Sequence, residues 1–371
     1  MRFNKRVILQ LFLFMATLVT TTIAGAEWTY GKSIWISGYT FDDFLSGLHF
    51  SIPFLLVLTT HEFGHYFTAK YHQVKSTLPY YIPLPPFPFS IGTMGAVIRL
   101  QQRVISKTQN FDIGISGPIA GFVVAIALLV YGFTHLPEPE YIFQIHPEYE
   151  QYGLNYAEHV YADQENVIDI VIGQNLLFIF FENFLADPER MPNPHELIHY
   201  PFLFSGFLAL FFTSLNLLPI GQLDGGHVVY GLFGSRGHKT IASIFFILLV
   251  FYAGLGTVTL ALGDDLLWAI PLYIVFLYIT LSGMKLRSMD RMMYAVFIFA
   301  AQFLLSWLLP EVKGFSGWLL FAFVVGRFLG VRHPGTLIEE PLDQKRKILG
   351  WIALIIFLIC FTPMPIQFIG E

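Results

Sequence analysis

The chain reads as an all-α polytopic membrane protein with about nine transmembrane helices, and three observations carry that reading. Hydrophobic residues fill 55% of its 371 positions and charged residues only 13%, about half the charge of a soluble domain. Nine apolar runs approach the roughly 20 residues that span a hydrocarbon core. When those runs alternate across the membrane, 18 of the 21 lysines and arginines fall on one side, the asymmetry that marks inward-facing loops. Composition therefore excludes disordered, fibrous and nucleic-acid-binding readings. The single cysteine, Cys360, excludes a disulfide framework and any multi-cysteine metal site.

The runs lie near 7–24, 48–70, 113–134, 201–218, 241–262, 266–284, 292–309, 315–330 and 348–368. Each is expected to be helical, because lipid offers the backbone no other partner. With the N-terminus inside, only Lys32, Arg190 and Lys313 face outward among the basic residues. Residues 1–47 form an N-terminal helix and a short outer loop. The basic stretch Arg2-Phe3-Asn4-Lys5-Arg6 and the later Ala24-Gly25-Ala26 also suit a signal peptide with a small-residue cleavage site. Residues 48–134 make a first half of the core. Within it, Pro79 to Gly95 is apolar but carries five prolines, which forbid a regular helix. Such a segment must sit against protein or line a cavity. We read it as a re-entrant or membrane-surface loop with an extended piece from Thr93 to Leu100.

Residues 135–200 hold 12 acids and one basic residue, Arg190, and read as a solvated outer loop. Their apolar patch, Val167 to Phe181, suits a helix lying on the membrane or packed against the spans. Residues 201–235 make a second half of the core, and 236–371 supply further transmembrane helices.

Chemistry concentrates in the second run, at His61-Glu62-Phe63-Gly64-His65. The spacing H-E-x-x-H puts two imidazoles on one helix face, one turn apart, which suits two ligands of one tetrahedral zinc. Glu62 between them is placed to act as general base toward a metal-activated water. For this composition the pattern arises by chance on the order of 0.015 times per chain. Ionisable groups in a span are also costly and call for a compensating partner. His61 precedes Lys70 by nine residues, about 13 Å of helix, so the site lies within the membrane toward its inner side. Thr59, Thr60, Thr213 and Ser214 are placed either to line a polar pocket there or to bond back to their own helices.

A catalytic zinc takes three protein ligands plus water, so the third should come from another span. Asn216-Leu217-Leu218-Pro219-Ile220-Gly221-Gln222-Leu223-Asp224-Gly225-Gly226 offers Asp224, after a span broken by Pro219 and Gly221. Asp224 reads either as that ligand or as a cap of the short helix running from near Gly225 to Phe233. His227 is a weaker candidate and suits a supporting role.

These stretches resemble the site-2 protease family of intramembrane zinc metalloproteases, in particular its bacterial and chloroplast-type members without a PDZ domain. The resemblance rests on H-E-x-x-H, on Gly114-Ile115-Ser116-Gly117-Pro118-Ile119-Ala120-Gly121, on Ser90 to Ala96, and on the N-x-x-P-x-x-x-x-D-G pattern from Asn216. It covers roughly residues 48–232. It implies a site-2-protease-like catalytic core with one zinc per chain on His61, His65 and Asp224. It implies Glu62 as base and acid, and Asn216 as a catalytic group holding the substrate backbone or the oxyanion. Thr93, Met94 and Gly95 correspond to a membrane-associated strand that binds unwound substrate. Gly117-Pro118 and Gly121 either loosen helix packing or allow close approach near the site.

The implied activity is hydrolysis of peptide bonds in or near transmembrane segments of other membrane proteins. The expected setting is the cytoplasmic membrane of a bacterium, among lipid and without a nucleic-acid partner, with the active site toward the cytoplasm. The acidic loop lacks the strand-and-glycine pattern of a PDZ domain, and the last five spans exceed what the catalytic core needs. Three rivals are weighed. A prenyl-protein-type zinc protease takes its third ligand from a glutamate on a later helix, and no intramembrane glutamate exists here besides Glu62. A metal transporter or sensor needs ligands along a path, whereas these acids form one cluster. An inactive relative acting as a membrane chaperone fits poorly with an intact Glu62.

Overall fold

Apolar runs too long to leave their backbone unpaired in lipid become helices. In the computed structural model, which describes residues 5–87, 90–161 and 169–369, six helices are long and apolar enough to cross a membrane. They are Lys5–Tyr30, Phe41–Tyr71, Lys107–Thr134, Asp224–Ala253, Leu260–Met284 and Ser288–Leu308; Pro201–Asn216 and Gly317–Leu329 are shorter apolar helices. The expected number was nine. The ninth run differs most: it is helical over Gln344–Cys360 and then becomes a strand, Ile366–Ile369. Pro363 and Pro365 lie between, and proline cannot continue a helix. Arg2 of the basic N-terminus, Pro88 and Phe89 of the proline-rich loop and Val167 of the outer patch lie outside the described residues.

The chain divides into two compact units: Met1–Arg103, Ser116–Leu215 and Ile355–Glu371 form the first, Val104–Ile115 and Asn216–Leu354 the second. In the first unit, α1 (Lys5–Tyr30) buries a polar face. Thr21 and Thr22 donate to carbonyls four residues back at 2.7 and 2.6 Å, so their hydroxyls are hydrogen-bonded within the helix in an apolar setting. Ala24, Gly25 and Ala26 are buried on the same helix. A capped turn, α2 (Phe41–Ser46), leads into α3 (Leu48–Tyr71). Its Thr40 hydroxyl accepts from Asp43 N–H at 3.2 Å, and the Asp43 carboxylate accepts from Thr40 N–H at 2.8 Å.

The proline-rich loop forms an antiparallel hairpin, β1 (Tyr80–Pro83) with β2 (Thr93–Val97). Tyr80 pairs with Val97 and Tyr81 with Ala96, and a bulge precedes Pro83 opposite Thr93. Proline at the strand end removes no ladder bond from the hairpin interior. The hairpin hangs on α1. Thr20 Oγ1 donates to Gly92 O at 2.6 Å, Trp28 Nε1 to Ser90 O at 3.0 Å, and Gln10 Nε2 to Leu78 O at 2.7 Å.

Helix α4 (Lys107–Thr134) follows, then the short α5 (Ala157–Val160). The apolar patch expected as a helix is in fact a strand and a helix. Strand β3 (Asp169–Ile172) pairs antiparallel with β4 (Ile366–Ile369), and α6 (Leu176–Phe184) comes next. Asn175 caps α6 by accepting from Phe178 N–H at 2.9 Å. Phe178 and Phe181 pack on Phe133 of α4 at 5.0 and 6.2 Å between centroids. Helix α7 (Pro201–Asn216) closes the series.

The second unit starts from the first turns of α4. Helix α8 (Asp224–Ala253) is interrupted at Gly234, where φ is 67°, so its first part is the short helix expected up to Phe233. Helices α9 (Leu266–Thr280), α10 (Ser288–Leu308), α11 (Gly317–Val324) and α12 (Gln344–Cys360) follow. Buried Gln302 of α10 ties three of these together. It donates to Val250 O and Phe251 O of α8 at 3.0 and 2.9 Å and accepts from the Tyr273 hydroxyl of α9 at 3.1 Å. Near the first turns of α4 and α12, Arg346 clasps Asp112 through two bonds of 2.8 and 2.7 Å.

Candidate metal centre

Helix geometry alone brings His61 and His65 together. Their Nε2 atoms lie 3.1 Å apart, and both rings are buried with Glu62 between them in sequence. Two nitrogens at 2.0–2.1 Å from one tetrahedral zinc stand about 3.3 Å apart, so the pair fits a shared ion. Space for it comes from α4. A Cβ on Gly117 would lie 2.2 Å from His65 Nε2, and one on Gly121 would lie 3.2 Å from His61 Cβ. The glycines of α4 therefore serve close approach to the imidazoles, one of the two roles expected of them.

The four hydroxyls expected near the site divide. Thr60, Thr213 and Ser214 donate to carbonyls of their own helices at 2.8, 2.8 and 2.7 Å. Thr59 Oγ1 instead lies 2.8 Å from the Tyr81 hydroxyl, which fastens β1 to α3 just ahead of His61. On β2, Thr93 is buried, while Met94 is 69% exposed. The Thr93 hydroxyl lies 2.9 Å from Ile82 O and accepts from Gly95 N–H at 3.0 Å. Gly95 takes φ +100° with open space where a Cβ would stand.

In the second unit, Asn216 is the last residue of α7, and Asp224 opens α8. The connecting turn folds back tightly: Ile220 N–H donates to Leu218 O at 2.7 Å and Gly221 N–H to Val331 O at 3.0 Å. Gly225 is required there, because a Cβ would lie 1.9 Å from Leu217 O. Asp224 is the first helical residue and Leu223 the cap residue, with no side-chain capping bond. A carboxylate at this first helical position is favourable to the helix N-terminus.

His227, one turn on, belongs to a polar group that the sequence did not reveal. Its Nδ1 lies 2.8 Å from His333 Nε2, and Asn110 Nδ2 lies 3.0 Å from the same atom. Tyr230 stacks on His333 at 4.2 Å. Burial pushes the His333 imidazole down to about 4, so it is neutral at pH 7. No spacing signal links Asn110, His227 and His333, which are far apart in the chain and meet only in the fold.

Comparison with known proteins agrees with this chemistry. The chain is 25% identical over 193 residues to the probable zinc metalloprotease EGY1, chloroplastic, of Arabidopsis thaliana, covering 52% of this chain and 31% of that protein. It is 27% identical over 241 residues to the probable zinc metalloprotease EGY3, chloroplastic, of Oryza sativa subsp. indica, covering 60% of this chain and 36% of that protein. The matched stretch thus spans about a third of these curated relatives. No solved structure matches the chain significantly. Residues 49–260 match peptidase family M50, a stretch that takes in the H-E-x-x-H helix, the glycines of α4 and the turn from Asn216 to Asp224. The chain therefore belongs to peptidase family M50, the site-2 protease family.

Proposed function

We propose that this chain is an intramembrane zinc endopeptidase that cleaves peptide bonds in or near transmembrane segments of other membrane proteins. One observation carries the reading: two buried imidazoles converge at 3.1 Å, with a glutamate beside them, on a helix long and apolar enough to span a membrane. A zinc ion bound there would polarise a peptide carbonyl and make water nucleophilic near neutral pH. His61, His65 and Asp224 would hold it, the three protein ligands a catalytic zinc takes. Glu62 takes the proton of the attacking water and hands it to the departing amine. The Asn216 carboxamide donates to the carbonyl oxygen as charge develops on it.

Substrate must unwind first, since an intact helix hides its carbonyls. Strand β2 offers the unwound chain a backbone to pair with. Met94 and Gly95 face it, and Thr93 fixes the bulged conformation from behind. The protein works in lipid, in the cytoplasmic membrane of a bacterium, with the site toward the cytoplasm.

The deciding experiment replaces Glu62 by Gln. The variant keeps its zinc, and cleavage falls by about 10²–10⁴-fold, the range for a lost general base. Quantitative proteomics of cells carrying it shows uncleaved membrane proteins accumulating relative to wild type. Undiminished cleavage by Glu62→Gln removes Glu62 as the base.

A further inference from the structure

A second group of donors sits in the segment between α4 and α7. His146, Glu196 and His199 each offer one ligand atom, and these atoms lie within 4.8 Å of one another. Local structure explains the grouping. Glu196 and His199 belong to one short 3₁₀-helix, Pro194–His199, whose three-residue period stacks side chains at i and i+3. Asn193 caps it, accepting from His195 N–H at 3.1 Å. His146 precedes another 3₁₀ segment, Pro147–Asn155, and its ring stacks on Tyr149 at 4.6 Å.

Proton positions decide what the group can hold. His199 Nδ1 lies 3.0 Å from Thr29 O, and a carbonyl only accepts, so this nitrogen carries the hydrogen. His146 Nδ1 lies 3.1 Å from Glu148 Oε1, and a carboxylate likewise accepts. His199, with its hydrogen on Nδ1, then turns Nε2 toward His146, and the two Nε2 atoms lie 3.1 Å apart. Glu196 Oε2 lies 3.5 Å from His199 Nε2, while Oε1 accepts from the Tyr161 hydroxyl. Three electron-pair donors thus converge, with Glu196 only 1% exposed. A cation shared by these ligand atoms offsets the cost of burying the carboxylate. The spacing fits zinc–nitrogen bonds of 2.0–2.1 Å, which set nitrogens about 3.3 Å apart. The carbonyl and carboxylate behind the rings are the partners that orient metal-bound imidazoles.

We propose that His146, Glu196 and His199 bind a second divalent transition metal, zinc by its donor set, with solvent at the fourth position beside half-buried His146. The ion staples the Pro194–His199 helix to the 146–155 segment, and through Thr29 to the end of α1. This site stands apart from the one on α3 and does not depend on the proteolytic reading.

Metal content of the full chain, purified in detergent and equilibrated with zinc, tests it. Wild type is expected to hold about two zinc ions, and His146→Ala about one. The His61→Ala/His65→Ala variant also holds about one, and its cobalt(II) form shows visible absorption that a further His146→Ala abolishes. Equal zinc in wild type and His146→Ala overturns the proposal, the two rings then sharing a proton. Circular dichroism of His146→Ala checks its fold, and the comparison with wild type decides even if the α3 variant does not fold. Zinc retained by the α3 variant but lost with His146→Ala supports this site whatever the fate of the other.

Discussion

His65 depends on a residue with no side chain. In most helices alanine in place of glycine stabilises by up to about 1 kcal/mol. At position 117 the added methyl would lie 2.2 Å from His65 Nε2, the nitrogen proposed to face the metal. Gly117→Ala is therefore expected to leave the helix content intact by circular dichroism while zinc occupancy at the α3 site falls by roughly tenfold. Unchanged occupancy would mean that the two helices simply part to admit the methyl. The approach of His61 to His65 was legible from spacing alone, because i and i+4 share a face in any α-helix. The partners of His227 were not legible, since Asn110 and His333 reach it from other parts of the chain.

Among the elements, the hairpin is the one whose form least resembles its composition. The sequence predicts a proline-rich loop with an extended piece from Thr93, and β2 forms there; its pairing with β1 across the loop was not legible. The strands can pair because α1 takes up the loop's spare carbonyls, Leu78, Ser90 and Gly92, with the Gln10, Trp28 and Thr20 side chains. Part of the polar face of α1 thus docks this loop. On β2 the Thr93 hydroxyl holds Gly95 N–H. Thr93→Val keeps the shape and removes that bond. It should lower cleavage, with KM rising more than kcat falls, at unchanged zinc content. Equal loss of zinc would assign Thr93 to the metal site instead. Helix α12 shows the opposite case: its end at Cys360 follows from Pro363 and Pro365, but the pairing of the strand beyond with β3 depends on a segment nearly 200 residues earlier.

At the scale of the whole chain, the proposed zinc set draws His61 and His65 from one part of the sequence and Asp224 from another. Asp224→Asn keeps a polar group of the same size at the start of α8 and removes the charge. Zinc bound at the α3 site is expected to fall by about tenfold or more, measured by competition with a chelator. Unaltered affinity would drop Asp224 from the ligand set. The membrane character, the helical class and the H-E-x-x-H chemistry were determined by the sequence alone. Each rests on composition or on a local period, and such signals survive without knowledge of the fold. Tertiary structure decided the rest: that glycines of α4 make room for the imidazoles, that a proline-rich loop becomes a strand pair, and that His146 meets Glu196 and His199. These features join residues tens to hundreds of positions apart, and only packing brings them within the few ångströms over which hydrogen bonds and metal ligation act.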